Sequence, residues 1–185
     1  MNTAPGAKES RLAKALALVE RTAAAMCYRP DVLRMDVELG NVAARVRLTA
    51  HPDDGGRLVG DGGECIAALY SIAKLLAFGS GRTIKFDQVG KTADPSEGYP
   101  KFRYVEDWDE AKALALATDL VAVCFPGQET TVGLRPGKDN SIDLIFGLED
   151  AGGTRALAFG KAASVLFIPI GKVLGRVINA DVEPL

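Results

Sequence analysis

The stretch that decides the fold is residues 51–63, which read His51-Pro52-Asp53-Asp54-Gly55-Gly56-Arg57-Leu58-Val59-Gly60-Asp61-Gly62-Gly63. Asp53 is suited to N-cap a short helix that ends at Gly60. A longer helix is predicted from about Gly63, because apolar residues then recur every three or four positions. The sequence therefore predicts two helices joined by a glycine-flanked turn, Gly60–Gly63.

Periodic segments on both sides of this turn complete a domain. An apolar stripe predicts a helix over residues 8–27, which Pro30 ends. Alternating residues then predict a hairpin from strands 32–39 and 43–49, and a further strand follows at 82–89. The predicted order is helix, strand, strand, short helix, longer helix, strand.

The turn has the chemistry of a phosphate site. Gly60 and Gly63 carry no Cβ, so a nucleic-acid backbone can approach the main chain closely. The helix that follows offers unpaired N–H groups and the positive end of its dipole. An ordinary interhelical turn is the alternative interpretation.

Residues 8–89 resemble the bacterial type II KH domain, especially the small single-domain KH RNA-binding proteins proposed as RNA chaperones. The resemblance is carried by His51-Pro52-Asp53-Asp54, by Gly56-Arg57-Leu58-Val59-Gly60 and by Gly63, with the flanking elements in the right order. It implies an α+β fold of the order α-β-β-α-α-β, with a three-stranded sheet covered by helices. It also implies single-stranded RNA as the partner, held in a groove at the turn.

The resemblance also implies a set of RNA-contacting residues. Arg57 and Arg45 would pair with phosphates, and Val59 and Ile66 would contact bases. The full candidate set is Arg45, Arg47, Arg57, Val59, Gly60, Asp61, Gly62, Gly63 and Ile66.

The middle of the turn departs from the family pattern. The family usually has Lys or Arg between the two outer glycines, whereas this chain has Asp61 and Gly62. Asp61 brings a carboxylate towards an RNA phosphate, and Glu64 follows closely, so weaker affinity than in a basic version is expected. A second hypothesis is that the domain has lost RNA binding and acts as a protein-interaction module, either as a homodimer or with another RNA-binding protein.

The rest of the chain predicts a second unit. Residues 90–106 are rich in Gly and Pro and are interpreted as a linker between a domain at 1–89 and another at 107–185. The second domain repeats the element order, and aligning residues 149–150 with Asp53-Asp54 indicates a degenerate KH-like domain without the glycine turn. Pro169 would fall inside its long helix, so either that helix bends or residues 165–170 form a strand and the duplication is wrong.

Charge and composition limit the function. The 185 residues include 22 Lys+Arg and 24 Asp+Glu, a net charge of −2, which excludes a strongly basic polyanion-coating protein. The charge divides unevenly, with +2 over residues 1–95 and −4 over residues 96–185. The acidic half is the poorer RNA surface.

Other classes find no support in the sequence. Cys27, Cys65 and Cys124 lie far apart, which predicts buried cysteines and neither a metal site nor a cofactor. The chain has no P-loop or nucleophile-elbow motif, so an enzyme is not predicted. It has no signal-like N-terminus, and its longest apolar run is about half the ~20 residues of a spanning helix, so a cytoplasmic protein without membrane contact is expected.

Overall fold

The computed structural model describes residues 5–92 and 109–185. In the first half the elements are α1 (Pro5–Ala25), β1 (Arg34–Leu39), β2 (Ala43–Ala50), α2 (Pro52–Val59), a 3-10 turn (Asp61–Gly63), α3 (Glu64–Leu76) and β3 (Thr83–Thr92). In the second half they are α4 (Glu110–Cys124), β4 (Thr130–Pro136), β5 (Ser141–Leu148), α5 (Thr154–Val173) and β6 (Val177–Pro184).

The first half forms a three-stranded sheet covered on one face by helices. β1 and β2 are antiparallel, and β2 and β3 are parallel, in the order β1-β2-β3. Along β2, Val46 and Leu48 are buried under the helices while Arg45 and Arg47 face solvent, as alternation requires. The predicted α+β fold and its element order are confirmed.

The second half repeats the sheet topology. β4 and β5 are antiparallel, and β5 and β6 are parallel, in the order β4-β5-β6. A single helix, α5, stands where the first half has α2, the turn and α3. The second half therefore has no interruption at which a glycine turn could present its backbone.

The predicted linker is only partly described. β3 continues to Thr92, past the Val89 end predicted from the sequence. Residues 93–108, which hold most of the predicted 90–106 linker, lie outside the described residues.

The two helical layers pack against each other. α1 contacts α4 and α3 contacts α5, so each helix meets its counterpart in the other half, and the cross pairs α1–α5 and α3–α4 also touch. This is the arrangement of a two-fold interface, here within one chain. One continuous apolar core results, and Arg21 on α1 pairs with Asp119 on α4 at 2.6 Å.

Pro169 lies inside α5, which continues to Val173. The alternative of a strand over residues 165–170 is therefore wrong. Pro169 has no N–H to donate to the carbonyl four residues earlier, so this helix lacks one backbone bond there. α5 is long and apolar enough to span a membrane, with a mean hydropathy of 1.5 over an 18-residue window. Half of that window is buried in the protein, as in a core helix.

Candidate nucleic-acid interface

The glycine turn has a backbone that only glycine adopts readily. Gly60 has φ +75° and ψ 170°, and Gly62 and Gly63 also have positive φ values of +61° and +85°. A Cβ at Gly60 would lie 2.8 Å from the backbone nitrogen of Cys65, so this position is also sterically closed. Sequence and structure agree that these glycines shape the turn.

The turn leaves the start of α3 open to a ligand. Its N-cap, Gly63, has no side chain, so no side-chain oxygen accepts from the first N–H groups of the helix. The Glu64 N–H donates to the Asp61 carbonyl, so the following N–H groups of the first turn and the helix dipole form the site suited to an anion. The exposed carboxylates of Asp61 and Glu64 also lie at the start of α3, and their negative charge weakens the attraction of this site for an anion.

Helix α5 forms a wall beside the turn. A cleft of about 190 Å³ lies between them, lined on one side by Gly60, Asp61 and Glu64 and on the other by Ile168 and Lys172. Within the described residues no ion pair shorter than 4.0 Å joins Lys172 to either carboxylate. The second half thus places a lysine next to a turn that has no basic residue of its own.

Arg57 lines the cleft at the turn, and its guanidinium makes its hydrogen bonds within the protein. Its Nε donates to the Met26 carbonyl at 2.9 Å, and its NH2 donates to the Pro169 carbonyl at 2.8 Å. Its guanidinium carbon lies 3.8 Å from the centre of the Tyr28 ring. The side chain is 15% exposed and lies 3.8 Å from the Asp54 carboxylate. Arg57 therefore joins α2 to α5.

Asp54 anchors α2 to the segment that follows α1. Its carboxylate is fully buried and accepts from the backbone N–H groups of Tyr28 and Arg29 at 2.7 and 2.8 Å. The predicted N-cap role of Asp53 is wrong: α2 begins at Pro52, and the N-cap is His51, whose Nδ1 accepts from the Asp53 N–H at 3.2 Å.

Arg45 and Arg47 lie away from the turn. They project from the outer face of the sheet, on the side opposite the helical layer that contains the turn. Arg45 lies 3.7 Å from Asp87, and Arg47 lies 3.9 Å from Glu38. The structure does not bring them together with Gly60–Gly63.

An apolar strip extends from the turn, and sequence reasoning identified only its first residue. Ile66 is half-buried and its Cγ2 lies 3.8 Å from the Cβ position of Gly63. Tyr70 follows one helical turn later, 43% exposed, and meets Phe86 of β3 edge to face at 6.5 Å. We call Ile66, Tyr70 and Phe86 the apolar strip. The i, i+4 spacing of Ile66 and Tyr70 was the available signal.

Val59 ends α2 and is half-buried beside the turn.

The cysteines are buried, as predicted. Burial raises the pKa of the Cys65 thiol behind the turn, so this thiol packs as an apolar group. Among the described residues, no group of three or more His, Cys, Asp or Glu side chains could hold a metal ion.

Comparison with known proteins finds relatives that are named as RNA-binding proteins. The RNA-binding protein KhpA of Mycobacterium leprae is 35% identical over 71 residues, which is 85% of that protein. The chain belongs to the KhpA family. KhpA of Halalkalibacterium halodurans, also named as an RNA-binding protein, is 31% identical over 70 residues, or 92% of its length. No family model matches the chain.

The similarity to the KhpA relatives is limited to part of the chain. Each match takes in 38% of this chain while covering most of the relative. The remaining residues have no counterpart in these matches, so a KhpA-like unit here is joined to a large additional segment.

Proposed function

We propose that the chain binds single-stranded RNA at the Gly60–Gly63 turn. The phosphate backbone crosses the turn at the open N-terminus of α3, and the bases lie along the apolar strip. The observation that carries the proposal is the combination of a helix start without a side-chain cap, three positive-φ glycines and a half-exposed aromatic about two turns further along α3. The KhpA relatives support RNA as the ligand class.

The second half would contribute to the same site. Lys172 of α5 supplies the positive charge that the family pattern has inside the turn and that this chain lacks. In this proposal residues 107–185 are a degenerate KH-like domain, which supports the first domain instead of binding RNA itself. A role as an RNA chaperone or regulator belongs to the same proposal.

Binding is tested with a short fluorescent single-stranded RNA and the full chain across a salt series. We expect dissociation constants of about 10⁻⁴ to 10⁻⁶ M that weaken as salt rises, as for other phosphate-dominated complexes. Absence of binding tighter than about 1 mM at low salt would overturn the proposal.

The alternative is a protein-interaction module without RNA binding. Asp61 and Glu64 at the turn favour it, as does the enclosure of Arg57 between α2 and α5. Its partner would be a second copy of the chain or another RNA-binding protein. The helical faces of both halves are occupied by each other, so such a partner would use another surface.

Asp61→Lys separates the two proposals. If the turn binds RNA, removing a repulsive charge and adding an attractive one is expected to raise affinity about tenfold at low salt and to steepen the salt dependence by about one ion. Fluorescence anisotropy measures both. The matched control is Glu149→Lys, which makes the same charge change at an exposed position of the second half. Equal gains in both variants would indicate general electrostatic attraction.

Tyr70→Ala tests the apolar strip. Base stacking on an exposed aromatic contributes about 1–3 kcal/mol, so we expect an affinity loss of tenfold or somewhat more with an unchanged salt slope. The control is Leu157→Ala, which removes a similarly exposed apolar side chain from α5. An RNA affinity unchanged by Tyr70→Ala would remove the strip from the binding site.

A further inference from the structure

A second basic site lies at the far end of α3 from the glycine turn. It is a cleft of about 300 Å³ between α1, the α3–β3 connection and the end of α4. Ser10, Arg11 and Lys14 line it on the α1 side, and Gly79 lines it on the opposite side. None of the described residues that line it is a carboxylate. With a rise of 1.5 Å per residue, the 13 residues of α3 separate this cleft from the turn by about 20 Å.

Arg11, which lines this cleft, and Arg155 near it each have a buried donor without a partner. Within the part of the chain that the structure describes, the Nε atoms of Arg11 and Arg155 are buried and make no hydrogen bond. An unpaired buried donor on a charged group is costly, so native proteins rarely leave one. Two such donors in one region point to a missing acceptor.

The surrounding residues hold the two guanidinium groups in place. Arg155 lies between the rings of Phe78 and Phe125, with its guanidinium carbon 4.7 and 5.5 Å from their centres. Arg11 lies over Gly79, where a Cβ would come within 3.4 Å of its NH1. Gly79 has φ +81° and leaves the space that this guanidinium fills.

Among the described residues, no carboxylate balances the local charges of Arg11 and Lys14. Burial lowers the pKa of Arg155, and the nearby charge of Arg11 lowers it further. The neighbouring Cys124 thiol stays neutral because burial raises its pKa to about 12. Asp119, on the same helix as Cys124, is already paired with Arg21 at 2.6 Å. Glu9 is exposed on α1 and does not line the cleft.

We propose that this cleft binds a phosphate group, with Arg11 and Lys14 as its principal ligands. Guanidinium groups donate to phosphate oxygens in a fork geometry, and Arg11 lines the cleft with its guanidinium held over Gly79. The phosphate belongs either to a small free molecule or to an RNA strand. The proposal does not depend on RNA binding at the glycine turn.

The test is a titration of the full chain, labelled with ¹⁵N, with sodium pyrophosphate at constant ionic strength. The arginine Nε–Hε NMR signals are followed. We expect the Arg11 and Arg155 signals to shift and to saturate, while the signal of Arg135, exposed in the second half, stays in place. A parallel titration with short single-stranded RNA distinguishes the sources, because a shift with RNA alone assigns the phosphate to a nucleic-acid backbone.

Two variants test whether Arg11 and Lys14 bind the phosphate. Arg11→Gln is expected to weaken pyrophosphate binding at least tenfold, as loss of a charge-assisted pair does. Because Arg11 is partly buried, exposed Lys14→Gln provides a change that leaves the core intact, with an expected loss of about threefold. Arg135→Gln is the matched control. The proposal is overturned if neither ligand gives a saturable shift, or if Arg135→Gln weakens binding as much as Lys14→Gln.

Discussion

Asp54→Asn is expected to destabilise the protein by about 3 kcal/mol or more, the cost of breaking a buried charged pair by removing one partner. The carboxylate is fully buried and accepts two backbone hydrogen bonds, from Tyr28 and Arg29. An amide of the same shape has one acceptor oxygen, so one of these N–H groups loses its partner. Arg57, 3.8 Å away, also loses its neutralising charge.

Urea unfolding of the full chain measures this loss as a lower midpoint. Asp53→Asn is the control, because it makes the same chemical change one residue earlier on a side chain that is 57% exposed. Its carboxylate lies in the first turn of α2 and is expected to contribute under about 1 kcal/mol. Equal costs for the two variants would show that Asp54 does not anchor α2.

The Asp53-Asp54 pair shows what a motif in the sequence does and does not indicate. The motif correctly predicted the two helices and the turn between them. The roles of its two carboxylates could not be predicted, because they depend on where the chain after α1 passes under α2. The hydrogen bonds of Asp54 to residues 28 and 29 span about 25 positions and leave no local pattern.

Arg57 and Pro169 illustrate the same limit across the two halves. Taken alone, Arg57 beside a phosphate-binding turn predicts an RNA contact, and Pro169 predicts either a bent helix or a strand over residues 165–170. The structure joins them by a hydrogen bond between residues 112 positions apart. Because α5 packs against α3, the Pro169 carbonyl and the Arg57 guanidinium face each other, a tertiary contact that neither local pattern predicts.

The apolar strip was missed for a different reason. Helical spacing places Tyr70 on the same face as Ile66, but it does not say whether that face is covered. Coverage depends on the edge strand β3, which leaves Tyr70 half-exposed against Phe86. The site was therefore predictable where it depends on the local backbone, and not where it depends on neighbouring elements.

The two halves form an asymmetric pair within one chain. Both have the same sheet topology and pack through equivalent helices, and within residues 5–92 and 109–185 the glycine turn between two helices occurs in the first half alone. In the second half, the continuous helix α5 faces that turn. It contributes two groups there: the Pro169 carbonyl, which accepts a hydrogen bond from Arg57, and the Lys172 side chain. The second half, whose α5 is continuous, thus supports the turn of the first half.

Gly60→Ala is expected to cost more than about 3 kcal/mol of stability, because strain and a steric clash act together at this position. A backbone with φ +75° and ψ 170° is essentially confined to glycine. The added methyl group would also lie 2.7 to 2.9 Å from the Sγ, N and Cβ atoms of Cys65. Since Cys65 is buried within the first turn of α3, relief requires the helix itself to move.

Gly62→Ala is the matched change that separates folding from binding at the same turn. Its φ of +61° and ψ of 12° place it in the left-handed region, and a Cβ there meets nothing within 4 Å, so a cost of about 1 kcal/mol is expected. Its methyl group instead projects where an RNA backbone would approach. We therefore expect Gly62→Ala to keep the urea midpoint near that of the parent protein while lowering RNA affinity. Unchanged RNA affinity in this variant would mean that the glycines serve the turn's geometry alone and that RNA does not cross it.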